Sequence, residues 1–142
     1  MCYVGSAYRD PCLIELSEGA DTVSATRILI VEDEFLIRMT LAEALADEGF
    51  DVLEAASGDE ALRMIEADPA IRLMLTDMQL PGTLDGAALA RQARQHQPSL
   101  PIIFVTGRPE AMGGLLTARD LFIAKPYLPS EVCTAAKRLT AA

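Results

Sequence analysis

The stretch Arg27-Ile-Leu-Ile-Val-Glu-Asp-Glu34 decides the fold, because a short apolar run ends abruptly in three acidic residues. The four aliphatic residues 28–31 are typical of a strand that is covered on both faces of a sheet. Residues 35–48 then repeat apolar side chains at helical spacing. The inward face holds Ile37, Leu41, Ala44 and Leu45, whereas Arg38, Glu43, Asp47 and Glu48 are expected to point away. Strand, acidic turn and helix in this order predict an α/β protein.

Four more apolar runs follow, at residues 50–54, 71–75, 101–105 and 121–124. The predicted strands begin 24, 20, 30 and 20 residues apart, at Arg27, Asp51, Ile71, Pro101 and Leu121. Such spacing leaves room for a helix between strands, so the strands should be parallel. Right-handed crossovers then favour a three-layer, doubly wound (βα)5 sheet of the flavodoxin-like kind, with strand order 2-1-3-4-5.

Two local signals place further helices. Ser57-Gly-Asp-Glu60 has the spacing of a capping box and precedes a helix in which Leu62 and Ile65 pack inward. Pro129 is suited to the first position of the last helix. Residues 1–26 show no sustained period and are interpreted as an N-terminal extension, so the domain is expected to span 27–142.

Composition excludes several classes of protein. The chain has 142 residues, 51% of them hydrophobic, which is enough for one domain with one core. Its 12 basic and 21 acidic residues give a net charge of −9, the wrong sign for a protein that neutralises nucleic-acid phosphates. Neither a membrane-spanning run nor a signal peptide is present, so we expect no membrane partner and a cytoplasmic location.

The three cysteines, Cys2, Cys12 and Cys133, form no CxxC pair and have no histidine nearby. An odd number without such spacing predicts free thiols rather than a disulfide framework or a zinc site.

Chemistry-bearing residues follow the predicted strands. Glu32, Asp33 and Glu34 follow the first, Asp77 the third, Thr106 the fourth and Lys125 the fifth. The carboxyl ends of parallel strands share one edge of the sheet, where ligands bind, so these side chains should converge. Crowded carboxylates need a compensating cation, and hard oxygen ligands such as Asp33 and Asp77 suit magnesium.

A carboxylate beside a metal ion and a lysine is able to attack phosphorus, because both cations neutralise charge on the phosphoryl oxygens. The product would be an aspartyl phosphate. The hydroxyl of Thr106 could donate to a phosphoryl oxygen, and Gly107 would leave space for the group to enter.

Four segments together resemble the receiver domain of bacterial two-component response regulators, which has a CheY-like fold. They are Ile-Leu-Ile-Val-Glu-Asp-Glu at 28–34, Leu-Thr-Asp-Met-Gln-Leu-Pro at 75–81, Phe-Val-Thr-Gly at 104–107 and Lys-Pro-Tyr at 125–127. The resemblance extends from Arg27 to about Leu139.

The resemblance implies that Asp77 accepts phosphate from a histidine kinase or a histidine phosphotransfer protein. It implies a site for Mg²⁺ or Mn²⁺ formed by Asp33 directly, by Glu32 largely through water, by Asp77 and by the backbone carbonyl of Gln79. Lys125 would pair with the phosphoryl group.

A switch is implied as well. Thr106 would move toward the phosphoryl group and Phe122 would swing inward with it. This would bias the surface of the fourth helix, fifth strand and fifth helix toward an unknown downstream protein. No DNA-binding effector is expected, and the only chemistry would be self-phosphorylation from a donor and slow autodephosphorylation.

The sequence departs from the family pattern at three places. Pro-Gly-Thr-Leu-Asp-Gly at 81–86 is one residue longer than usual, a variant associated with hybrid kinases, so a stand-alone regulator and a hybrid-kinase fragment both stay open. Ala118-Arg-Asp120 replaces the usual Gly-Ala. Met112-Gly-Gly114 interrupts the expected fourth helix.

Other interpretations stay open at this point. The three acids at 32–34 could complement a helix macrodipole, and Asp77 could open a turn. A haloacid-dehalogenase-type phosphatase also uses an aspartate and magnesium, but it needs a second acid where Gln79 stands. A receiver-like scaffold that takes no phosphate is the third hypothesis. We interpret His96, Arg91 and Arg94 as solvated residues.

Overall fold

The computed structural model describes residues 25–108 and 117–141. The strands are β1 (Arg27–Val31), β2 (Asp51–Ala55), β3 (Ile71–Asp77), β4 (Ile102–Thr106) and β5 (Leu121–Ala124). The helices of the described residues are α1 (Phe35–Asp47), α2 (Gly58–Ala67), α3 (Gly86–His96) and α4 (Pro129–Thr140). The helix expected around residues 112–114 lies outside the described residues, as does almost all of the expected extension 1–26. The last helix is therefore numbered α4.

The strands of the described residues form one five-stranded sheet in the order β2-β1-β3-β4-β5. All four neighbouring pairs are parallel, which confirms the predicted 2-1-3-4-5 topology. The second strand begins at Asp51, as predicted, and ends one residue beyond the apolar run, at Ala55, whereas β4 lies one residue later than the run at 101–105. The third runs two residues further than predicted, so that Asp77 is its last residue rather than a loop residue.

Alternating strand residues divide the core into two layers. One layer packs beneath α2 and α3 and includes Leu29, Val31, Met74, Leu89 and Phe104. The other packs beneath α1 and α4 and includes Ile30, Leu45, Leu75, Val105 and Val132. Because both faces of the sheet are covered, residues 28–31 are all buried, as the continuous apolar run predicts.

Helix α1 buries the expected face, with Leu41 and Leu45 in the core. Arg38 is the exception to the prediction for this helix. Its guanidinium donates to the backbone carbonyl of Glu32 at 2.7 Å and to Oε1 of Glu54 at 3.0 Å. The expectation that Arg38 points away is wrong, because these two acceptors lie at the carboxyl edge of the sheet, beside the start of α1.

Helix starts follow the predicted signals. Ser57 is the N-cap of α2, and its side chain accepts from the backbone N–H of Glu60 at 3.2 Å. The side chain of Glu60 accepts from Ala56, one residue before the cap, at 2.8 Å. Pro129 is the first residue of α4, as predicted.

Of the residues interpreted as solvated, Arg94 is largely buried against a partner, whereas His96 is exposed as predicted and has an exposed partner. Arg94 on α3 forms an ion pair with Asp120, whose side chain is fully buried and also accepts from the backbone N–H of Ile102 at 3.1 Å. His96 lies 3.1 Å from Oε2 of Glu66 on α2. Both partners come from elements distant in sequence, which periodicity along one helix does not reveal. Within the part of the chain described, no helix is long and apolar enough to cross a membrane.

Candidate phosphoacceptor and metal site

Three carboxylates meet at the carboxyl edge of the sheet. Glu32 and Asp33 follow β1, and Asp77 ends the neighbouring β3. One oxygen of each lies within 4.8 Å of the others. Glu32 and Asp77 are buried, each 5% exposed, whereas Asp33 is exposed to solvent. The predicted convergence of these acids is therefore present in the fold.

Asp77 is held from two sides. Its Oδ2 accepts from Nζ of Lys125 at 2.6 Å, and its Oδ1 accepts from the backbone N–H of Gln79 at 2.9 Å. Burial alone would lower the pKa of Lys125, but the hydrogen bond and charge of Asp77, with Glu32 and Glu34, raise that pKa overall. The hydrogen bond from the N–H of Gln79 also begins the turn after β3. Asp77 is therefore a turn residue and a member of the acidic site at the same time.

Glu32 is buried within this cluster, and burial disfavours its charged form. Burial, with the nearby charge of Asp77, raises its pKa to about 7, although its Oε2 accepts from the backbone N–H of Glu34 at 3.0 Å. Glu34 is the N-cap residue of α1, so the macrodipole interpretation remains valid for that acid, but it does not account for Asp77, which ends β3. Clustered hard oxygens with two buried members fit a small divalent cation, since its charge would offset their repulsion.

A backbone hydrogen bond links Thr106 and Lys125. Thr106 is the buried last residue of β4, and its carbonyl accepts from the N–H of Lys125 at 2.8 Å. Its Oγ1 accepts from the N–H of Arg108 at 2.9 Å. The preceding carbonyl, that of Val105, accepts from Met78 N–H at 3.0 Å. The end of β4 therefore contacts the chain on both sides of the acidic site.

Phe122 lies apart from the carboxylates. It is half-buried on β5, opposite Phe104 of β4, and packs against the core layer beneath α2 and α3. Its position next to β4 is compatible with the switch that the resemblance implies, since Thr106 ends the same neighbouring strand. Gln79 is exposed and touches the site through its backbone N–H.

A close approach at Gly86 is the main feature that the sequence interpretation missed. A Cβ at this position would lie 2.5 Å from the carbonyl oxygen of Asp77 and 2.7 Å from Cα of Met78. Gly86 also donates to the carbonyl of Met78 at 3.1 Å. Helix α3 thus begins directly against the backbone of Asp77. The available signal was the pair Asp85-Gly86, in which Asp85 caps the helix by accepting from Ala88 N–H at 2.9 Å.

Tyr127 is a further neighbour of the acidic site, and it also packs against the core layer beneath α1 and α4. Burial, together with the charges of Glu32 and Asp77, raises its pKa to about 12. Its hydroxyl therefore stays protonated at neutral pH beside the acidic site. The segment Lys-Pro-Tyr at 125–127 carries both this phenol and the ammonium of Lys125.

The chain matches known proteins along most of its length. The model of the response regulator receiver domain family matches residues 28–137. The aerobic respiration control protein ArcA of Escherichia coli (strain K12) is 39% identical over 115 residues, which are 79% of this chain and 47% of ArcA. The sensor kinase CckA of Brucella abortus is 32% identical over 129 residues, covering 88% of this chain and 14% of that kinase.

A solved structure has the same fold. The CheY-like response regulator receiver domain protein from Methanospirillum hungatei superposes with a TM-score of 0.72 at 30% identity, covering 81% of this chain and 93% of that one. The chain spans about half the length or less of the curated relatives it matches, 47% in the case of ArcA. The predicted CheY-like fold is confirmed, and the chain belongs to the response regulator receiver domain family of two-component systems.

Proposed function

We propose that this receiver domain is a phosphoacceptor that takes a phosphoryl group on Asp77 in a magnesium-dependent reaction. The observation that carries the proposal is the arrangement around one carboxylate. Asp77 lies within 4.8 Å of two further acids, which could hold a cation, and 2.6 Å from a lysine ammonium. The donor would be the phosphohistidine of a histidine kinase or of a histidine phosphotransfer protein.

The proposed transfer forms one bond and breaks one. A carboxylate oxygen of Asp77 attacks phosphorus, the P–N bond to the donor imidazole breaks, and the imidazole leaves with a proton from solvent. Glu32, Asp33, Asp77 and the carbonyl of Gln79 would hold Mg²⁺ or Mn²⁺. When bound, the ion supplies positive charge that neutralises the phosphoryl oxygens.

Lys125 and Thr106 are the proposed partners of the phosphoryl group. Lys125 already contacts the nucleophile in the unphosphorylated protein, so its ammonium would move from Oδ2 of Asp77 to a phosphoryl oxygen without crossing a large gap. The hydroxyl of Thr106 has an oxygen that accepts from Arg108 N–H, which leaves its proton free to be donated. A shift of this hydroxyl would be the first movement of the proposed switch, with Phe122 next to β4 responding.

The output of this switch would be a protein-binding surface that includes β5 and α4. The domain would then act by docking on a partner or by passing phosphate along a relay. Its only chemistry would be phosphorylation from a donor and slow loss of the phosphate. The similarity to a stretch of the sensor kinase CckA supports a hybrid-kinase context as much as the similarity to ArcA supports a regulator context.

A mass measurement tests the proposal. The protein is incubated with Mg²⁺ and acetyl phosphate, a small phosphodonor, and intact mass is recorded over time. We expect a gain of one phosphoryl group per chain that requires Mg²⁺ and disappears in Asp77→Asn. The matched control is Asp59→Asn, because Asp59 lies on α2 outside the carboxylate cluster.

The other outcomes contradict the proposal in distinct ways. Continuous turnover of the phosphodonor without a stable adduct would favour the haloacid-dehalogenase-type phosphatase. Absence of any gain in the wild-type protein, with Mg²⁺ binding intact, would favour the scaffold that takes no phosphate. A gain that persists in Asp77→Asn would assign the phosphate to another residue.

A further inference from the structure

Arg38 lies one turn into α1, and its side chain returns to the acidic turn formed by residues 32–34. Its Nη1 donates to the carbonyl of Glu32 at 2.7 Å, and its Nε donates to Oε1 of Glu54 on β2 at 3.0 Å. The side chain of Arg38 is 14% exposed, whereas that of Glu54 is 42% exposed. The guanidinium is thus largely withdrawn from solvent and held at the edge of the acidic site.

The carbonyl that Arg38 contacts belongs to the peptide between Glu32 and Asp33. On the other side of Glu32, its N–H donates to the carbonyl of Ala55 at 3.1 Å. These two hydrogen bonds anchor both peptides that flank Glu32. Because a peptide group is planar, anchoring the Glu32 carbonyl also fixes the direction of the N–Cα bond of Asp33.

The far end of the acidic turn is held by the same arginine. The backbone N–H of Arg38 donates to the carbonyl of Glu34 at 3.0 Å. The N–H of Glu34 donates to Oε2 of Glu32, also at 3.0 Å. Asp33 lies between these two anchored residues and is exposed to solvent. Burial therefore does not hold its carboxylate in place, and its position depends on the backbone of the turn.

Two contacts fix the guanidinium itself. One is the ion pair with Glu54, and the other is the ring of Phe35, whose centroid lies 5.6 Å from Cζ of Arg38. This distance is within the range of a cation–π interaction. A planar guanidinium directs separate N–H groups at two acceptors at once, a geometry that a lysine ammonium does not reproduce. The contacts together hold Arg38 in one orientation toward the Glu32 carbonyl.

We propose that Arg38 is a positioning residue for the metal site. By holding the peptide between Glu32 and Asp33, it keeps a carboxylate oxygen of Asp33 within 4.8 Å of those of Glu32 and Asp77. The inference rests on the proposed function, in which these carboxylates bind Mg²⁺. Arg38 touches neither the ion nor the phosphoryl group. Groups that orient a metal ligand through a hydrogen bond commonly change metal affinity by about 10–100-fold.

Charge and position predict opposite effects when Arg38 is lost. The guanidinium is a positive charge beside three carboxylates, so electrostatics alone predicts that its removal tightens the binding of a cation. Loss of the hydrogen bond to the Glu32 carbonyl frees the backbone at Asp33, which weakens binding. The sign of the change in Kd therefore distinguishes a positioning role from a simple contribution of charge.

The test is a calorimetric titration of the metal-free full chain with Mg²⁺ at constant ionic strength. We expect Arg38→Gln to raise Kd by about tenfold. Arg38→Gln combined with Glu54→Gln removes one positive and one negative charge, and it should raise Kd to a similar extent although net charge is unchanged. Glu54 is exposed and can be hydrated in the absence of Arg38, so we expect these variants to fold. Thermal unfolding confirms that each is folded at the titration temperature.

The matched control removes a similar ion pair at the other edge of the sheet. Arg27 and Asp51 pair at 2.8 Å and join the first residues of β1 and β2. Arg27→Gln with Asp51→Asn is also balanced in charge, and it should leave the Kd for Mg²⁺ unchanged. NMR of the metal-free proteins provides a second measurement. The carbonyl ¹³C shift of Glu32 and the amide shifts of Asp33 should change in both Arg38 variants and not in the control.

Three results would overturn the proposal. One is a Kd that is unchanged or lower in Arg38→Gln, and another is a wild-type Kd in the charge-balanced variant of Arg38 and Glu54. The third is a raised Kd without any change in the carbonyl shift of Glu32. Wild-type protein that binds no Mg²⁺ would contradict both this proposal and the proposed function. Wild-type protein that binds Mg²⁺ but takes no phosphate from acetyl phosphate would contradict the proposed function alone.

Discussion

Nζ of Lys125 lies 2.6 Å from Oδ2 of Asp77, which joins the end of β5 to the end of β3 across the intervening strand. Asp77 is 5% exposed, so this ammonium is a main source of compensation for a buried carboxylate. We expect Lys125→Met to lower the free energy of unfolding of the metal-free protein by about 1–3 kcal/mol, because Asp77 loses a charged donor. Urea titrations measure the change.

The only other lysine is the matched control for that substitution. Lys137 forms an exposed ion pair with Glu48, so Lys137→Met should change stability by about 0–1 kcal/mol. Equal losses for the two variants would show that the contact between Lys125 and Asp77 contributes no more than a surface pair.

Magnesium should stabilise the folded protein through the carboxylate cluster. At a hundred times Kd, binding to the folded state alone adds about 2.7 kcal/mol. We expect Asp33→Asn to remove most of the Mg²⁺-dependent rise in Tm and, by reducing repulsion among the acids, to raise Tm in the absence of metal. Thermal unfolding with and without Mg²⁺ measures both effects.

Glu34→Gln serves as the control for the magnesium experiment. Glu34 is the exposed neighbour of Asp33 and lies outside the cluster of three. Its substitution should leave the response to Mg²⁺ nearly intact. A large loss in this variant would mean that net charge, rather than ligation, drives the stabilisation.

Binding of Mg²⁺ should depend on pH because of Glu32. Its pKa is raised from the ordinary 4.5 to about 7, so part of the protein carries a proton on Glu32 at neutral pH. The cation requires the ionised form, and its affinity should fall by up to about tenfold per pH unit below that pKa. Calorimetry in buffers of different ionisation enthalpy should detect proton release on binding, and Glu32→Gln should abolish it.

The same group affects stability without metal, and the sign follows from the direction of the shift. The folded state binds the proton of Glu32 more tightly than the unfolded state does. Its contribution is therefore present below the ordinary pKa and is lost as the pH rises through about 7. The metal-free Tm is therefore measured against pH for the wild-type protein and for Glu32→Gln. If Tm rises with pH over this range by the same amount in both proteins, Glu32 makes no such contribution and the raised pKa is contradicted.

Gly86 should tolerate no side chain. In Gly86→Ala the new Cβ would meet the backbone of Asp77 at 2.5 Å, and neither partner is a flexible side-chain end. We expect a loss of about 1–3 kcal/mol in stability, together with reduced phosphorylation as Asp77 is displaced. Gly107→Ala is the control for stability, because a Cβ there has no atom within 4 Å. Equal losses would refute the steric explanation.

The pair of Arg94 and Asp120 should be a strong contributor to stability. The side chain of Asp120 is fully buried and accepts from Arg94, from the N–H of Ile102 and from Thr117. Arg94→Ala leaves this charge without its ionic partner and should cost about 3–5 kcal/mol. The exposed Arg91 on the same helix is the control, and Arg91→Ala should change stability by less than about 0.5 kcal/mol.

The fold followed from the sequence because five apolar runs, spaced widely enough for helices, permit few topologies. The candidate site could be predicted for a related reason. The carboxyl ends of parallel strands meet at one edge of the sheet, so the sequence alone indicates that Glu32, Asp77 and Lys125 lie close together. The environments of Arg38 and Arg94 were not predicted, nor was the partner of the exposed His96. Each depends on a partner from another element, and periodicity along one helix does not reveal that partner.

Gly86 was missed for a different reason. Its role depends on the distance between two backbones, and a glycine in a turn gives the same sequence signal whether or not another chain segment passes close to it. The one-residue shifts at the end of β2 and at both ends of β4 arise because apolar character alone defines strand ends weakly.

The two hydrogen bonds at the end of β4 have a consequence for evolution. The carbonyl of Val105 accepts from the residue after Asp77 and that of Thr106 accepts from Lys125, so two hydrogen bonds on opposite sides of β4 set the spacing between Asp77 and Lys125. Insertions or deletions in the connections outside these two hydrogen bonds leave that spacing unchanged. Paralogues with very different loops would thus retain the same spacing between the carboxylate and the ammonium. Their sequence differences would change which partners they recognise rather than the reaction at the carboxylate.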